Sequence, residues 1–514
     1  MEKVPQIIKQ YWNIDTLKDK QTELISHFIE GNDVIGLLPT GYGKSLCYLL
    51  PPLISNKVMI IISPLISLMD EQKEKLIEMK IPVAVLHGNN PDKQKEIFSI
   101  IDGTIKIVYM SPEYLIKGHG IELAQILIEK KLLGYLAIDE SHCISAWGHD
   151  FRDDYLKINI FRKEFPSIPI MAVTATATAQ VVQDIVKHLN MTKPKIVIAN
   201  FDRPNIYLKC ININKTNKLS LPKTIPSPKG TNDILWITKG IKIKSIKLEP
   251  IDYIDSYIVK YEGYKIIIYT SSRNATDELS VAINAKYGKI SASYHAGMDK
   301  GKRNTIQTKF NNGTTNIIVS TVAFGMGIDQ TVRCVLIFGS PKSIEEYYQM
   351  IGRGGRDGLA AESVLLFQSQ YNVINKKMIE KSDMDIDIMR NKISLLNNIP
   401  TYTNSPICRR RYILEYFNQV TKFFWCNYCD NCCENPQIDL TKQFIDILFN
   451  NKSFEILNDS EQKIALAHNL IDTYGNPSNT MKNWKKIIEA NKYMVKGIPS
   501  KYKISCNSNI KLIK

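Results

Sequence analysis

Four clusters in this chain have residue types and spacing that can do chemistry. The first is Pro39-Thr40-Gly41-Tyr42-Gly43-Lys44-Ser45, which follows the apolar run Val34 to Leu38 and precedes the apolar stretch Leu46 to Leu50. Strand, glycine loop and helix in that order make a polyphosphate cradle. Gly41 and Gly43 let backbone N–H groups approach the phosphates, and the helix N-terminus adds its positive end. Lys44 supplies a point charge, and the Ser45 hydroxyl supplies a ligand for Mg²⁺. The strict form of the loop has glycine where this chain has Leu38. The second cluster is Asp139-Glu140, at the end of the apolar run Leu132 to Ile138. The first acid can hold Mg²⁺ through water, and the second can orient or deprotonate an attacking water. The third is Arg353 and Arg356, three apart on a glycine-rich turn. A guanidinium there can reach a transferring phosphoryl group. The fourth is Cys408 with Cys426, Cys429 and Cys432. Four thiolates on short loops match a closed, structural Zn²⁺ site, with Cys433 as a fifth candidate.

The elements that would position these groups alternate along the chain. Apolar strands are expected at 58–62, 105–110, 132–138 and 168–173, with helices between. The second series is 265–269, a strand before Tyr294, 316–319 and 334–338. Continuous apolar strands separated by helices imply parallel sheets covered on both faces. Polar clusters then collect at the strands' carboxyl ends. The fold class is α/β, with two doubly wound domains.

The chain has 514 residues, 44% hydrophobic and 23% charged, with 66 Lys plus Arg against 51 Asp plus Glu. The formal charge of +15 suits a polyanionic partner or an acidic surface. No secretory signal and no membrane-spanning apolar run is read, and most of the 10 cysteines lie in apolar contexts that suit a reducing compartment. An intracellular site, nucleus or cytoplasm, is expected rather than secretion. Gln21, upstream of the phosphate loop, is either an adenine-edge reader or a solvated helix-start residue.

The chain resembles a RecQ-type helicase of superfamily 2 over roughly residues 10 to 435. The resemblance rests on the phosphate loop, Ser63 to Leu68, Asp139-Glu140-Ser141-His142-Cys143-Ile144-Ser145, Trp147 to Arg152, Phe201-Asp202-Arg203-Pro204-Asn205, and Gln349 to Gly358. It implies two RecA-like domains that hydrolyse ATP with Mg²⁺ and move 3′ to 5′ along DNA, single-stranded or forked. It also implies catalytic roles for Lys44, Asp139, Glu140, His142, Gln349, Arg353 and Arg356, the last as an arginine finger. Gln21, Thr40, Gly41, Gly43, Ser45 and Asp139 would bind nucleotide. The loop bearing Trp147, Phe151 and Arg152 would link strand binding to hydrolysis, the aromatics by stacking on bases and Arg152 by charge. Ala146 stands where the family has Gln, and Leu17-Lys18 where it has Phe-Arg.

The expected organisation is a first RecA-like domain over 1–205 and an insert over 206–250. A second RecA-like domain over 251–375 follows, then a zinc subdomain over 376–436 and a winged-helix-like tail over 437–514. In the tail, 484–490 reads as an amphipathic helix and 502–504 as a strand. A helical cap is the alternative for that tail. The arginines 409–411 offer charge to phosphate. Three other functions stay open: an RNA helicase, a nucleic-acid-binding protein with a degenerate motor, and a translocase that remodels complexes without separating strands. Protein partners are not indicated.

Overall fold

This computed structural model describes residues 1–88, 90, 93–117, 119–145, 147–148, 151–213, 249–322, 324, 330–423 and 425–433, and the backbone of 438–439, 503–507 and 509–513. The first unit is a seven-stranded parallel sheet. Its strands are β1 (Val34–Leu37), β2 (Val58–Ile62), β3 (Val83–Leu86), β4 (Ile107–Met110), β5 (Leu133–Ile138), β6 (Ile170–Thr174) and β7 (Lys195–Ile198), in spatial order β3-β4-β2-β5-β6-β1-β7. Every residue of β1 and β2 is buried, as strands with helices on both faces must be. That is why they read as unbroken apolar runs.

The second sheet has β8 (Ile206–Asn212), β9 (Ile266–Tyr269), β10 (Ser291–Tyr294), β11 (Ile317–Ser320), β12 (Cys334–Gly339) and β13 (Ala361–Phe367), in the order β10-β11-β9-β12-β13-β8. It too is parallel throughout. β8 corrects the expected insert. Residues 206–212 lie in register with 361–367, so the second sheet begins within the stretch assigned to a linker. β8 is an edge strand in which only Ile206 and Leu208 are buried and the rest are half-buried, and the polar positions Lys209 and Asn212 hide it. The insert residues 214–248 lie outside the described residues.

The helices Ser369–Glu380 and Ile386–Asn404 form a hairpin beyond β13, and the helix Arg409–Tyr416 leads to the cysteine loop. A bridge between Leu208 and Cys429 sets that loop against the free edge of β8. One continuous core joins all three parts, with Ile144 from the first sheet's side, Tyr347 from the second and Tyr402 from the hairpin. In the tail, β14 (Ile438–Asp439), β15 (Lys503–Asn507) and β16 (Asn509–Ile513) pair as an antiparallel sheet. The strand read at 502–504 overlaps β15, and the helix read at 484–490 lies outside the described residues.

Candidate nucleotide cleft and zinc centre

The phosphate loop leaves β1 and enters the helix Lys44–Ser55. Gly41 and Gly43 have φ of +80° and +96°, the left-handed region that side chains resist. Lys44 Nζ lies 3.6 Å from Glu140 Oε1, across the top of the sheet. Glu140 itself holds a φ of +46°, a strained conformation for a residue with a side chain. Asp139 follows the last residue of β5 and is buried, with its Oδ1 accepting the Glu140 N–H at 2.9 Å. Burial, then the Glu140 charge, raises the Asp139 pKa to about 6, against the pull of Lys44. A divalent cation would supply the positive charge this carboxyl lacks.

Tyr48 completes this site, a residue to which no sequence pattern assigns a role. Its hydroxyl donates to Asp139 Oδ2 at 3.0 Å and lies 3.1 Å from Ser45 Oγ. One buried phenol thus spans the two residues suited to hold Mg²⁺. It sits one turn past Ser45, inside a run that reads only as core.

His142 is buried beside Glu140. Its Nδ1 is 2.8 Å from Thr174 Oγ1 and 3.3 Å from Glu140 Oε2. Burial works against charge on this ring. The Cys143 sulfur and the Glu140 carboxylate outweigh it and push the pKa up to about 10. Gln21 is 4% exposed, which removes the solvated alternative. Its Nε2 donates to Tyr42 O and Gly43 O at 3.1 and 3.2 Å, and its Oε1 accepts from Lys18 N. Its amide therefore braces the loop backbone.

The second domain closes on this loop. The helix Ile344–Ile351 carries Gln349 and ends in the arginine turn. A Cβ added to Gly41 would meet Arg356 Cγ at 3.5 Å, so Arg356 lies against the cradle. Arg353 is buried, beside the Tyr269 hydroxyl. The bolt between the domains is Arg203, which donates to Thr40 O at 3.2 Å on one side and to Gly354 O and Gly355 O at 2.7 and 3.0 Å on the other. Asn205 adds bonds to Gly355 O and Leu359 O, both 2.8 Å.

The aromatic loop lies farther along. Trp147 is 47% exposed, so it is no core residue, and Phe151 is half-buried. Arg152 turns inward, donating to Pro64 O at 2.7 Å. It ties this loop to the end of β2. Residues 146, 149 and 150 lie outside the described residues, as do 325–329.

The sulfurs of Cys408, Cys426, Cys429 and Cys432 all lie within 4.8 Å of one another. Tetrahedral Zn²⁺ with bonds of about 2.3 Å asks for sulfurs about 3.8 Å apart. The Cys426–Cys432 and Cys429–Cys432 separations are 3.9 and 3.3 Å. The donor set fits. Cys433 is exposed and directs its thiol at Asn427 O, away from the cluster. The arginines after Cys408 are a correction. Arg409 and Arg410 are each 5% exposed and pair with Asp430 and Asp202 at 3.0 and 2.9 Å. Arg411 pairs with Glu415. The first two are buried braces rather than a phosphate surface.

Comparison with known proteins agrees with this geometry. Residues 18–185 match the DEAD/DEAH box helicase family, 249–358 the helicase conserved C-terminal domain, and 372–433 the RecQ zinc-binding domain. A protein of Acanthamoeba polyphaga mimivirus that carries the name ATP-dependent RNA helicase R290 is 34% identical over 84% of this chain and 72% of its own length. The ATP-dependent DNA helicase RecQ of Haemophilus influenzae is 33% identical over 84% of this chain and 64% of its own. The ATP-dependent DNA helicase hus2/rqh1 of Schizosaccharomyces pombe is 34% identical, and the chain spans 31% of its length. Among solved structures, the helicase MrfA bound to DNA and AMPPNP aligns with a TM-score of 0.55 at 19% identity, over 76% of this chain and 55% of that one. That likeness shows the fold. The cofactors are ATP with Mg²⁺ in the cleft and Zn²⁺ in the cysteine cluster. A chain that carries both helicase halves and the RecQ zinc module, in this order and at this identity, belongs to the RecQ-type ATP-dependent helicases.

Proposed function

We propose that this chain is a 3′-to-5′ DNA helicase that couples ATP hydrolysis to movement along one strand. The observation that carries the reading is the composite cleft. Arg203 and Arg356 of the interface meet Thr40 and Gly41 of the phosphate loop. ATP with Mg²⁺ supplies the free energy for the cycle. Gly41, Gly43 and Lys44 bind the phosphates, and Ser45 and Asp139 hold the metal side. Glu140 orients the attacking water and takes its proton, with His142 holding Glu140 in place. Arg356 faces the transferring group from the other domain, with Arg353 and Gln349 behind it. Opening and closing around that group changes the distance between the two sheets. Trp147 and Phe151 present faces to the bases.

DNA rather than RNA is favoured by this chain's own RecQ zinc-binding match and by the relatives named as DNA helicases, and the mimivirus relative's name keeps RNA as the second reading. The domain roles follow: 1–205 and 206–375 as the motor halves and 376–436 as the zinc-bearing brace. The substrate implies an intracellular site. No helix among the described residues is long and apolar enough to cross a membrane. Strand displacement is measured on duplexes with only a 3′ or only a 5′ overhang, in DNA and in RNA. Unwinding of the 3′-tailed DNA is expected. A preference for the 5′ tail, or for RNA, refutes the reading.

A further inference from the structure

The strands β1 to β7 precede β8 to β13, so among the described residues the chain crosses between the two sheets once, from Ile198 to Ile206. Residues 199–205 are the covalent link between the motor halves. At the start of this segment, Ala199 N–H donates to Leu37 O at 2.9 Å, at the foot of the phosphate loop. Near its end, Arg203 spans Thr40 O and the arginine turn. Where the segment lies therefore decides where Arg203 stands.

The zinc subdomain holds the segment between those two points. The helix Arg409–Tyr416 is closed by Asn418, whose φ is +56°. Asn418 N–H donates to Glu415 O at 3.0 Å, and Gln419 N–H to Leu414 O at 2.9 Å. This is the left-handed helix end that asparagine tolerates better than most side chains. It delivers Gln419 to the crossing segment. There Nε2 donates to Ala199 O and Oε1 accepts the Phe201 N–H, both at 2.9 Å. One side-chain amide thus pairs with the segment's backbone as a neighbouring strand would. The Phe201 ring stacks on Phe417, with centroids 5.1 Å apart and planes 13° apart. Phe201 O accepts from the Tyr348 hydroxyl at 2.7 Å, on the helix that ends in the arginine turn. Asp202 is held by Arg410.

We propose that Gln419 is a positioning residue for ATP hydrolysis: its amide ties the crossing segment to the zinc subdomain and so sets where Arg203 joins the phosphate loop to the arginine turn. A displacement of the zinc subdomain then reaches the cleft through hydrogen-bonded backbone, from Gln419 to Phe201 and two residues on to Arg203. The inference rests on the ATPase reading above.

The test is a double-mutant cycle on the full chain. ATP turnover at saturating single-stranded DNA is measured for Gln419→Leu, Arg203→Ala and the pair, with zinc content and melting temperature on the same preparations. Gln419→Leu keeps most of the volume and removes both bonds to the segment. Each neutral hydrogen bond is worth about fivefold, so kcat should fall about tenfold or more. KM for ATP should stay within about twofold, since neither bond reaches the phosphate loop. Zinc should stay bound. The pair should lose no more than Arg203→Ala alone, because Gln419 acts through Arg203. A brace with no part in the reaction would lower the melting temperature and leave the folded protein at full kcat. That result, or losses that multiply in the pair, overturns the proposal. If Gln419→Leu fails to fold, Gln419→Glu carries the test, because it keeps the length and the acceptor for Phe201 N–H and removes the donor to Ala199 O. Lower kcat with zinc retained is then expected, and full kcat overturns it. Absence of turnover in the unmutated chain would instead count against the helicase reading.

Discussion

Arginines do opposite work in the nucleotide cleft and at the zinc junction. In the cleft, Arg356 lies against Gly41, on a turn between two domains. At the junction, Arg409 and Arg410 sit under the protein surface, each on its own aspartate. In sequence, the tight run Arg409-Arg410-Arg411 looks the more suited to bind phosphate. The difference lies in the element. The arginine turn joins the helix Ile344–Ile351 to the start of β13 and faces the phosphate loop of the other domain, so it opens toward ligand. A helix packed between a sheet edge and a hairpin presents its basic residues to carbonyls and carboxylates instead. Arg410 also donates to Ile206 O at 2.8 Å, and Arg409 to Tyr402 O. Local charge density thus does not identify a phosphate site. The position of the segment in the sheet topology does.

The comparison breaks first at Lys44. Lys44→Ala removes the charge from the cradle and leaves no core cavity. Turnover should fall by at least about two orders of magnitude, as for other preorganised electrostatic groups. Melting temperature should hold. Normal turnover would dissolve the distinction between a catalytic and a bracing cation.

Arg410→Ala tests the other side. Removing one partner of a buried pair strands the other charge, at a cost of about 3 kcal/mol or more. The expected result is a marked loss of melting temperature. Arg390→Ala, at an exposed ion pair, should cost about 0.5 kcal/mol or less. An Arg410→Ala protein with unchanged melting temperature and weaker, less salt-dependent DNA binding would return this arginine to the phosphate surface.

Trp147→Ala is smaller in effect and finer in what it separates. Each stacked base is worth about 1–3 kcal/mol. Basal turnover should stay near normal, and its stimulation by single-stranded DNA should fall about tenfold. The exposure of Trp147 argues against a packing role. A loss of basal activity and stability together would restore that role.

Much of this was legible in the sequence because the chemistry rides on loops after fully buried strands. β2 and β5 announce themselves as apolar runs, and Ser63 and Asp139 follow directly. β8 was not legible. It lies at a sheet edge, half of it faces outward, and its partner β13 is about 150 residues away. Arg203 was visible within a family motif, but nothing local says that its guanidinium spans from Thr40 to Gly355. Gln419 reads as an ordinary loop amide. Its partners Ala199 and Phe201 lie 220 and 218 residues earlier. Long-range polar contacts leave no periodic mark, so sequence patterns miss them.

Tyr48 gives the smallest expected effect and the sharpest contrast within the cleft. Its hydroxyl is the link between Ser45 and Asp139. Burial, with the nearby Asp139 charge adding to it, holds the phenol well above its ordinary pKa, so it stays a neutral donor across the working range. Tyr48→Phe keeps the ring and the packing. It leaves Asp139 Oδ2 without that donor and frees Ser45 to rotate. A neutral hydrogen bond of this kind is worth about 1 kcal/mol, so Mg²⁺-dependent nucleotide affinity should fall about fivefold. Binding of the nucleotide without Mg²⁺ should be unchanged, since the glycine backbone and Lys44 are untouched. Titrating a fluorescent ATP analogue with and without Mg²⁺ separates the two. Equal losses in both conditions would make Tyr48 a packing residue that merely touches the site. A loss confined to Mg²⁺ would show that the cleft's metal side is positioned from within the core, by a residue that binds neither phosphate nor water.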